Sequence, residues 1–147
     1  EKGEALRREL TDAVVHDAES FDGVLQARRL QKGTEEEKAA RNEAIYKATL
    51  HAARVPLHNA CLSLEVLKLA HRMAEIGNIN AISDAGAGAN LAKAAFEAAA
   101  MNVKINLLGL ETKEEPAAIL AELSEIASEV EAWLQKTTSL IHARSGL

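Results

Sequence analysis

Asp17 is the residue of this chain whose type fits its surroundings least. It falls in a helical segment where Ala13, Val14 and Phe21 lie within about one turn of it, so it would sit at the centre of an apolar stripe. A charged carboxylate in such a stripe needs a polar partner, or it takes up a proton more readily than in water. A carboxyl group of that kind can act as a general acid or base. The alternative is a structural role, with Asp17 hydrogen-bonded to another helix or facing a wet cavity.

A second group of polar residues lies on a helix rich in alanine. Asn102 and Asn106 are one turn apart, and steps of four and seven back along the same face lead to Asp84. Ser83 and Asp84 open this helix after the turn residues 77–80, where free backbone N–H groups can hold an anionic group. We therefore treat these four residues as candidates for ligand binding. The alternatives are amide pairing between helices for the asparagines and a helix-dipole role for Asp84.

The histidines and the single cysteine form no motif for metal binding or nucleophilic catalysis. His51 and His58 are seven residues apart on either side of Pro56, and no acidic residue completes a ligand set at the expected spacing. Cys61 has no histidine that the sequence places beside it, so a buried thiol is expected. The sequence thus predicts no metal site.

The composition of the 147 residues indicates one helical domain. Apolar residues make up 48% and aromatic residues only 3%, which favours closely packed helices over a sandwich or barrel. The net charge of −5 gives no support for a nucleic-acid surface, and no apolar run reaches the length of a membrane span. One cysteine and no recognisable signal peptide are typical of the cytoplasm. Because residue 1 is Glu and not Met, we expect the full-length protein to begin further upstream.

Four helical stretches must position these residues. Apolar spacing predicts helices at about 4–30, 35–76, 83–108 and 116–142, with a capping box at Thr34 and Glu37 and a helix cap at Ser83. Pro56 predicts a kink or break in the second helix. The small-sided third helix is expected to be central. The fourth carries an a/d seam from Ile119 to Leu140, which suits either a bundle or a dimer interface. The prediction is an all-α, antiparallel up-and-down bundle with a proline-kinked long helix.

Taken together, these positions resemble the cyclodeaminase/cyclohydrolase family of folate enzymes. Order and spacing agree over about residues 10–110. The matching segments, in chain order, are HDAESF at 16–21, RLQKGTEEEK at 29–38, VPL at 55–57, GNINAISD at 77–84 and NVKINL at 102–107. Five ordered segments are far more specific than any one of them.

The resemblance implies an all-helical bundle, usually a homodimer, that acts on a tetrahydrofolate derivative without metal or nucleotide cofactor. The implied reaction converts 5-formiminotetrahydrofolate to 5,10-methenyltetrahydrofolate with release of ammonia. The family's catalytic aspartate matches Asp17, and its binding segments match Ser83, Asp84, Asn102 and Asn106.

The resemblance leaves two alternatives and one departure. Some relatives are described as methenyltetrahydrofolate cyclohydrolases, and a non-catalytic helical dimerisation module would keep the same fold. The family normally begins with a turn of the form P-G-G-G-S that opens an extra helix, and this chain has no such segment. We therefore expect residues 1–147 to form a single cyclodeaminase-like domain without that turn and first helix.

Overall fold

The computed structural model describes residues 1–146 and contains four long α-helices. Helix α1 spans Lys2–Arg28, α2 spans Glu35–Ile76, α3 spans Ile82–Asn106 and α4 spans Glu114–Ser145. A short 3-10 helix over Ile79–Ala81 precedes α3. No strand occurs in these 146 residues. The all-α prediction is confirmed.

Helix α2 is the centre of the bundle because it packs against α1, α3 and α4. Its Leu67 is fully buried, together with Val103 of α3, Leu107 just after α3 and Val130 of α4. The expectation that the alanine-rich helix is central is therefore wrong. Helix α3 buries one face against α2 and α4, and its other face carries exposed side chains such as Leu91 and Ile105.

The start of α2 follows the predicted capping box. The Thr34 side chain accepts a hydrogen bond from the Glu37 N–H at 3.1 Å, and the Glu37 carboxylate accepts one from the Thr34 N–H at 3.2 Å. The helix then continues without interruption through Pro56. A break at that proline, one of the two predicted outcomes, does not occur.

The start of α3 differs from the prediction. Ser83 lies inside the first turn and does not cap the helix, which begins after Ala81 without a side-chain cap. The Asn78 side chain instead accepts a hydrogen bond from the Asn80 N–H at 3.0 Å and so caps the 3-10 helix. Because the 3-10 helix occupies Ile79–Ala81, α3 begins directly after it at Ile82, one residue before Ser83.

The predicted seam of α4 packs within the chain. Ile119, Leu123 and Ile126 are buried, as are Val130 and Thr137. Since α4 contacts both α2 and α3, this seam belongs to the bundle core.

Helix α1 is covered on one side only. Leu6, Ala13 and Val24 are buried, and α1 packs almost entirely against α2. On its other side the side chain of Val14 is 71% exposed and that of Phe21 is 60% exposed. The Arg41 guanidinium of α2 donates two hydrogen bonds to the Arg28 carbonyl and so satisfies the end of α1.

Candidate functional site

Helices α1 and α3 flank the same side of α2 and leave a groove between them. At the end of this groove near the C-terminus of α1 there is a cavity of about 360 Å³. We call it the groove cavity. Its walls combine apolar and polar side chains from all three helices, namely Asp17, Ser20, Phe21, Val24, Leu25, Arg28, Thr49, Ala52, Asn102, Ile105 and Asn106. A concave site of this size, in which polar groups converge beside apolar side chains, is typical of small-molecule binding.

Asp17 lines the groove cavity, but its side chain is exposed. The expectation that it lies buried in an apolar seam is wrong, because its side of α1 faces the open groove instead of packing against another helix. Its backbone carbonyl accepts a hydrogen bond from the Ser20 hydroxyl at 2.8 Å. The carboxylate thus stands at the mouth of the cavity, where it can reach a bound ligand.

Asn102 and Asn106 lie on the α3 wall of the groove cavity, one turn apart as predicted. The Asn102 side chain is exposed. The Asn106 Nδ2 group donates a hydrogen bond to the carbonyl of Ala52 on α2, at 2.8 Å. The structure therefore brings Asp17 and both asparagines to one cavity, while it gives Asn106 a bond within the protein.

Ser83 and Asp84 are not brought to this cavity. Asp84 lines a separate, mostly apolar cavity of about 410 Å³ at the other end of the groove, where Met73, Gly77 and Asn78 also contribute. Asp84 and Asn102 are 18 positions apart on α3, which amounts to about 27 Å at about 1.5 Å per residue. The predicted polar stripe does run along one groove, but its two ends cannot contact the same small group.

Two further polar side chains line the groove cavity, Thr49 of α2 and Arg28 at the end of α1. Thr49 lies one turn before Ala52 on the face of α2 below the groove, and no pattern in the sequence marks it as a site residue. Arg28 belongs to the basic run around residues 28–41, and it brings a positive charge to the cavity wall. An arginine at this position can pair with a carboxylate of a ligand.

His58, His71 and Cys61 lie outside the groove cavity. His58 lies 3.1 Å from the carboxylate of Glu9, and His71 lies 3.2 Å from the Thr137 hydroxyl. Cys61 is half-buried, and its burial raises the pKa of the thiol. Within residues 1–146 no three side chains of His, Cys, Asp or Glu cluster as metal ligands. None of the helices in this range combines the length and apolarity needed to cross a membrane.

Comparison with known proteins gives consistent matches. Residues 1–125 match the model of the formiminotransferase-cyclodeaminase family. A methenyltetrahydrofolate cyclohydrolase from Methylorubrum extorquens is 43% identical over 129 residues, which cover 88% of this chain and 62% of that protein. The formimidoyltransferase-cyclodeaminase of Rattus norvegicus is 32% identical over 103 residues, which cover 70% of this chain and 19% of that protein.

The fold has a solved counterpart as well. The crystal structure of a formiminotetrahydrofolate cyclodeaminase from Thermotoga maritima superimposes with a TM-score of 0.80 at 27% sequence identity. The alignment covers 95% of this chain and 66% of the other. The chain thus spans about three fifths of the length of the bacterial cyclohydrolase and a similar share of the thermophilic cyclodeaminase.

Proposed function

Because this chain belongs to the formiminotransferase-cyclodeaminase family, we propose that it acts on a tetrahydrofolate derivative at the groove cavity. The observation that carries the proposal is the meeting of Asp17, Asn102 and Arg28 around one cavity of mixed polar and apolar lining. Phe21 and Ile105 offer apolar surface for a flat ring, and the polar groups at the wall offer hydrogen bonds and charge. Tetrahydrofolate combines a polar bicyclic ring with a carboxylate-bearing tail, so its chemistry suits these walls.

Asp17 is the group proposed to transfer protons. In the hydrolysis of 5,10-methenyltetrahydrofolate, water adds to the bridging carbon and the bond from that carbon to N5 breaks. One water proton ends on N5 and the other is released, leaving 10-formyltetrahydrofolate. A carboxylate at the cavity mouth can take a proton from the attacking water and return one to N5.

The same carboxylate could serve the cyclodeaminase reaction. There N10 attacks the formimino carbon held on N5, and the bond from that carbon to the imino nitrogen breaks. The imino nitrogen leaves as ammonia with its own proton, the proton of N10 and one more from solvent. Holding N10 against the formimino carbon supplies much of the rate, because the two groups then react within one bound molecule. The structural likeness to the Thermotoga maritima cyclodeaminase supports this second candidate.

Between these reactions the hydrolysis is favoured. Identity to the Methylorubrum extorquens cyclohydrolase is 43%, whereas identity to the rat cyclodeaminase is 32%. This order differs from that of the family resemblance, which implies cyclodeamination as the main reaction and hydrolysis as the alternative. We propose the cyclohydrolase reaction as the primary activity, with cyclodeamination as the alternative.

Roles for the other predicted residues follow from where they lie. Asn102, exposed on the cavity wall, is proposed to orient the ring system or its linker, and Arg28 to pair with a tail carboxylate. Asp84, with Ser83 beside it, lies at the far end of the groove. Those two residues can contribute to binding only if the ligand extends along the groove or a second chain approaches it.

Supplying the two substrates separately to the 147-residue chain distinguishes the reactions. We expect 5,10-methenyltetrahydrofolate to lose its methenyl absorbance faster than in buffer, with 10-formyltetrahydrofolate as product. If methenyl absorbance and ammonia instead appear from 5-formiminotetrahydrofolate, the chain is a cyclodeaminase. Conversion of neither substrate would contradict both assignments and favour a non-catalytic helical module. The uncatalysed rate in buffer is the control for each substrate.

We further propose that the chain forms a homodimer, as the resemblance to the family implies. Val14 and Phe21 on α1 and Leu91, Met101 and Ile105 on α3 leave large apolar side chains exposed along the groove. Exposed apolar surface of this extent favours association. Light scattering at two protein concentrations should give twice the 15.8 kDa chain mass. A mass equal to one chain at both concentrations would contradict the proposal.

A further inference from the structure

Pro56 creates a hydrogen-bonding problem in the middle of α2. In a regular α-helix the N–H of residue 56 would donate to the carbonyl of Ala52, four residues earlier. Proline has no N–H, so the helix cannot satisfy that carbonyl in the usual way. Ala52 is buried, and Pro56 is fully buried. A carbonyl at such a position is costly to leave unpaired.

The missing donor comes from α3. Asn106 Nδ2 lies 2.8 Å from the Ala52 oxygen, although the two residues are 54 positions apart in the sequence. A carbonyl oxygen can only accept a hydrogen bond, so the NH₂ group of the Asn106 amide, and not its oxygen, must face Ala52. One side chain therefore compensates for Pro56 and joins the C-terminal turn of α3 to the middle of α2.

We propose that Asn106 is a positioning residue, whose amide replaces the N–H that Pro56 lacks and so holds α3 against α2 at the wall of the groove cavity. Ala52 and Asn106 both line this cavity, and Asn102 lies one turn earlier on the same wall. Asn106 thus acts on a ligand through the placement of its neighbours. This revises the binding role predicted for Asn106 from the sequence.

A double-mutant cycle with Pro56→Ala tests the inference because alanine restores the missing N–H. We expect Asn106→Leu to lower the Tm of the natural chain by about 3–10 °C, as an unpaired buried carbonyl should. In the Pro56→Ala background the same replacement should lower the Tm by less than about 2 °C, since the helix then satisfies Ala52 itself. Asn42→Leu, at an exposed site of α2, is the matched control and should shift the Tm equally in both backgrounds. Equal losses from Asn106→Leu in the two backgrounds, or no loss in either, would overturn the inference.

A binding measurement separates positioning from direct contact, and this arm alone rests on the proposed function. The probe is 5-formyltetrahydrofolate, titrated by calorimetry into each of the four proteins of the cycle. Asn106→Leu should weaken its affinity on the order of tenfold, because the Ala52 carbonyl, left unpaired, must find water at the contact between α2 and α3 and so displaces the cavity wall. The double variant should recover the affinity of Pro56→Ala to within about twofold. Persistent weak binding in the double variant would show direct contact and overturn the positioning role. Failure of every protein, including the natural chain, to bind the probe would contradict the proposed function, while the Tm cycle would still decide the role of Asn106.

Discussion

Replacing Asp17 with Asn should lower kcat for the preferred tetrahydrofolate substrate by about 100- to 10,000-fold, the usual contribution of a general acid or base. Asparagine keeps the size and polarity of the side chain but can neither take up nor return a proton at neutral pH. Because the Asp17 side chain is exposed and makes no packing contact that a carboxamide would lose, the fold should persist. The rate of change of the methenyl absorbance measures the effect, and circular dichroism checks the helix content.

The matched control for this variant is Asp22→Asn. Asp22 is also exposed on α1 and does not line the groove cavity, so its replacement should leave kcat within about twofold of the natural chain, as is usual for a surface change. Binding of 5-formyltetrahydrofolate to Asp17→Asn should stay close to that of the natural chain. Undiminished turnover in Asp17→Asn would remove Asp17 from the mechanism.

Replacing Leu107 with Ala should cost about 2–5 kcal/mol of unfolding free energy, as expected for a large-to-small change in a packed core. Leu107 follows the last residue of α3 and its side chain is 0% exposed. It belongs to the core cluster that includes Leu67 of α2 and Val130 of α4. Its truncation leaves a cavity where three helices meet, and the surrounding side chains can close that space only in part. Urea unfolding followed by circular dichroism measures the loss.

The neighbouring residue offers a control of the same chemistry. Leu108 is 79% exposed, so Leu108→Ala should change the unfolding free energy by no more than about 0.5 kcal/mol. Measuring both variants at protein concentrations tenfold apart reveals any contribution from association. Similar losses for the two variants would mean that Leu107 does not occupy the core position described above.

Features of the fold that depend on neighbouring residues in the sequence could be predicted correctly. The capping box at Thr34 needs only Glu37 three positions later, and the seam of α4 shows in the spacing of Ile119, Leu123 and Ile126. The four helices follow from the same local periodicity. The grouping of Asp17 with Asn102 and Asn106 is predicted only by the resemblance to a family, since no local rule joins residues on α1 and α3.

Features that depend on which helix covers which face could not be predicted. Asp17 sits in an apolar pattern, yet its side of α1 faces the open groove instead of a packed helix, so the side chain is exposed. The alanine-rich α3 was expected at the centre, but the longer α2 has three partners and occupies that place. The hydrogen bond from Asn106 to the Ala52 carbonyl has two requirements, the missing N–H at Pro56 and the packing of α3 against α2. The proline is visible in the sequence, but no sequence pattern shows which helices pack together.

The one-sided attachment of α1 places the proposed catalytic residue Asp17 on the long helix with the fewest packing partners. Asp17 and Arg28 are carried by α1, while the opposite wall of the groove cavity belongs to α2 and α3. Detaching α1 disrupts one helix interface, whereas unfolding α2 disrupts three. Segments that bury few contacts open at a lower free energy than the whole domain. On warming, α1 would therefore separate from the core of α2, α3 and α4 while that core is still folded. The proposed activity would then be lost at a lower temperature than the one at which most of the helix content is lost.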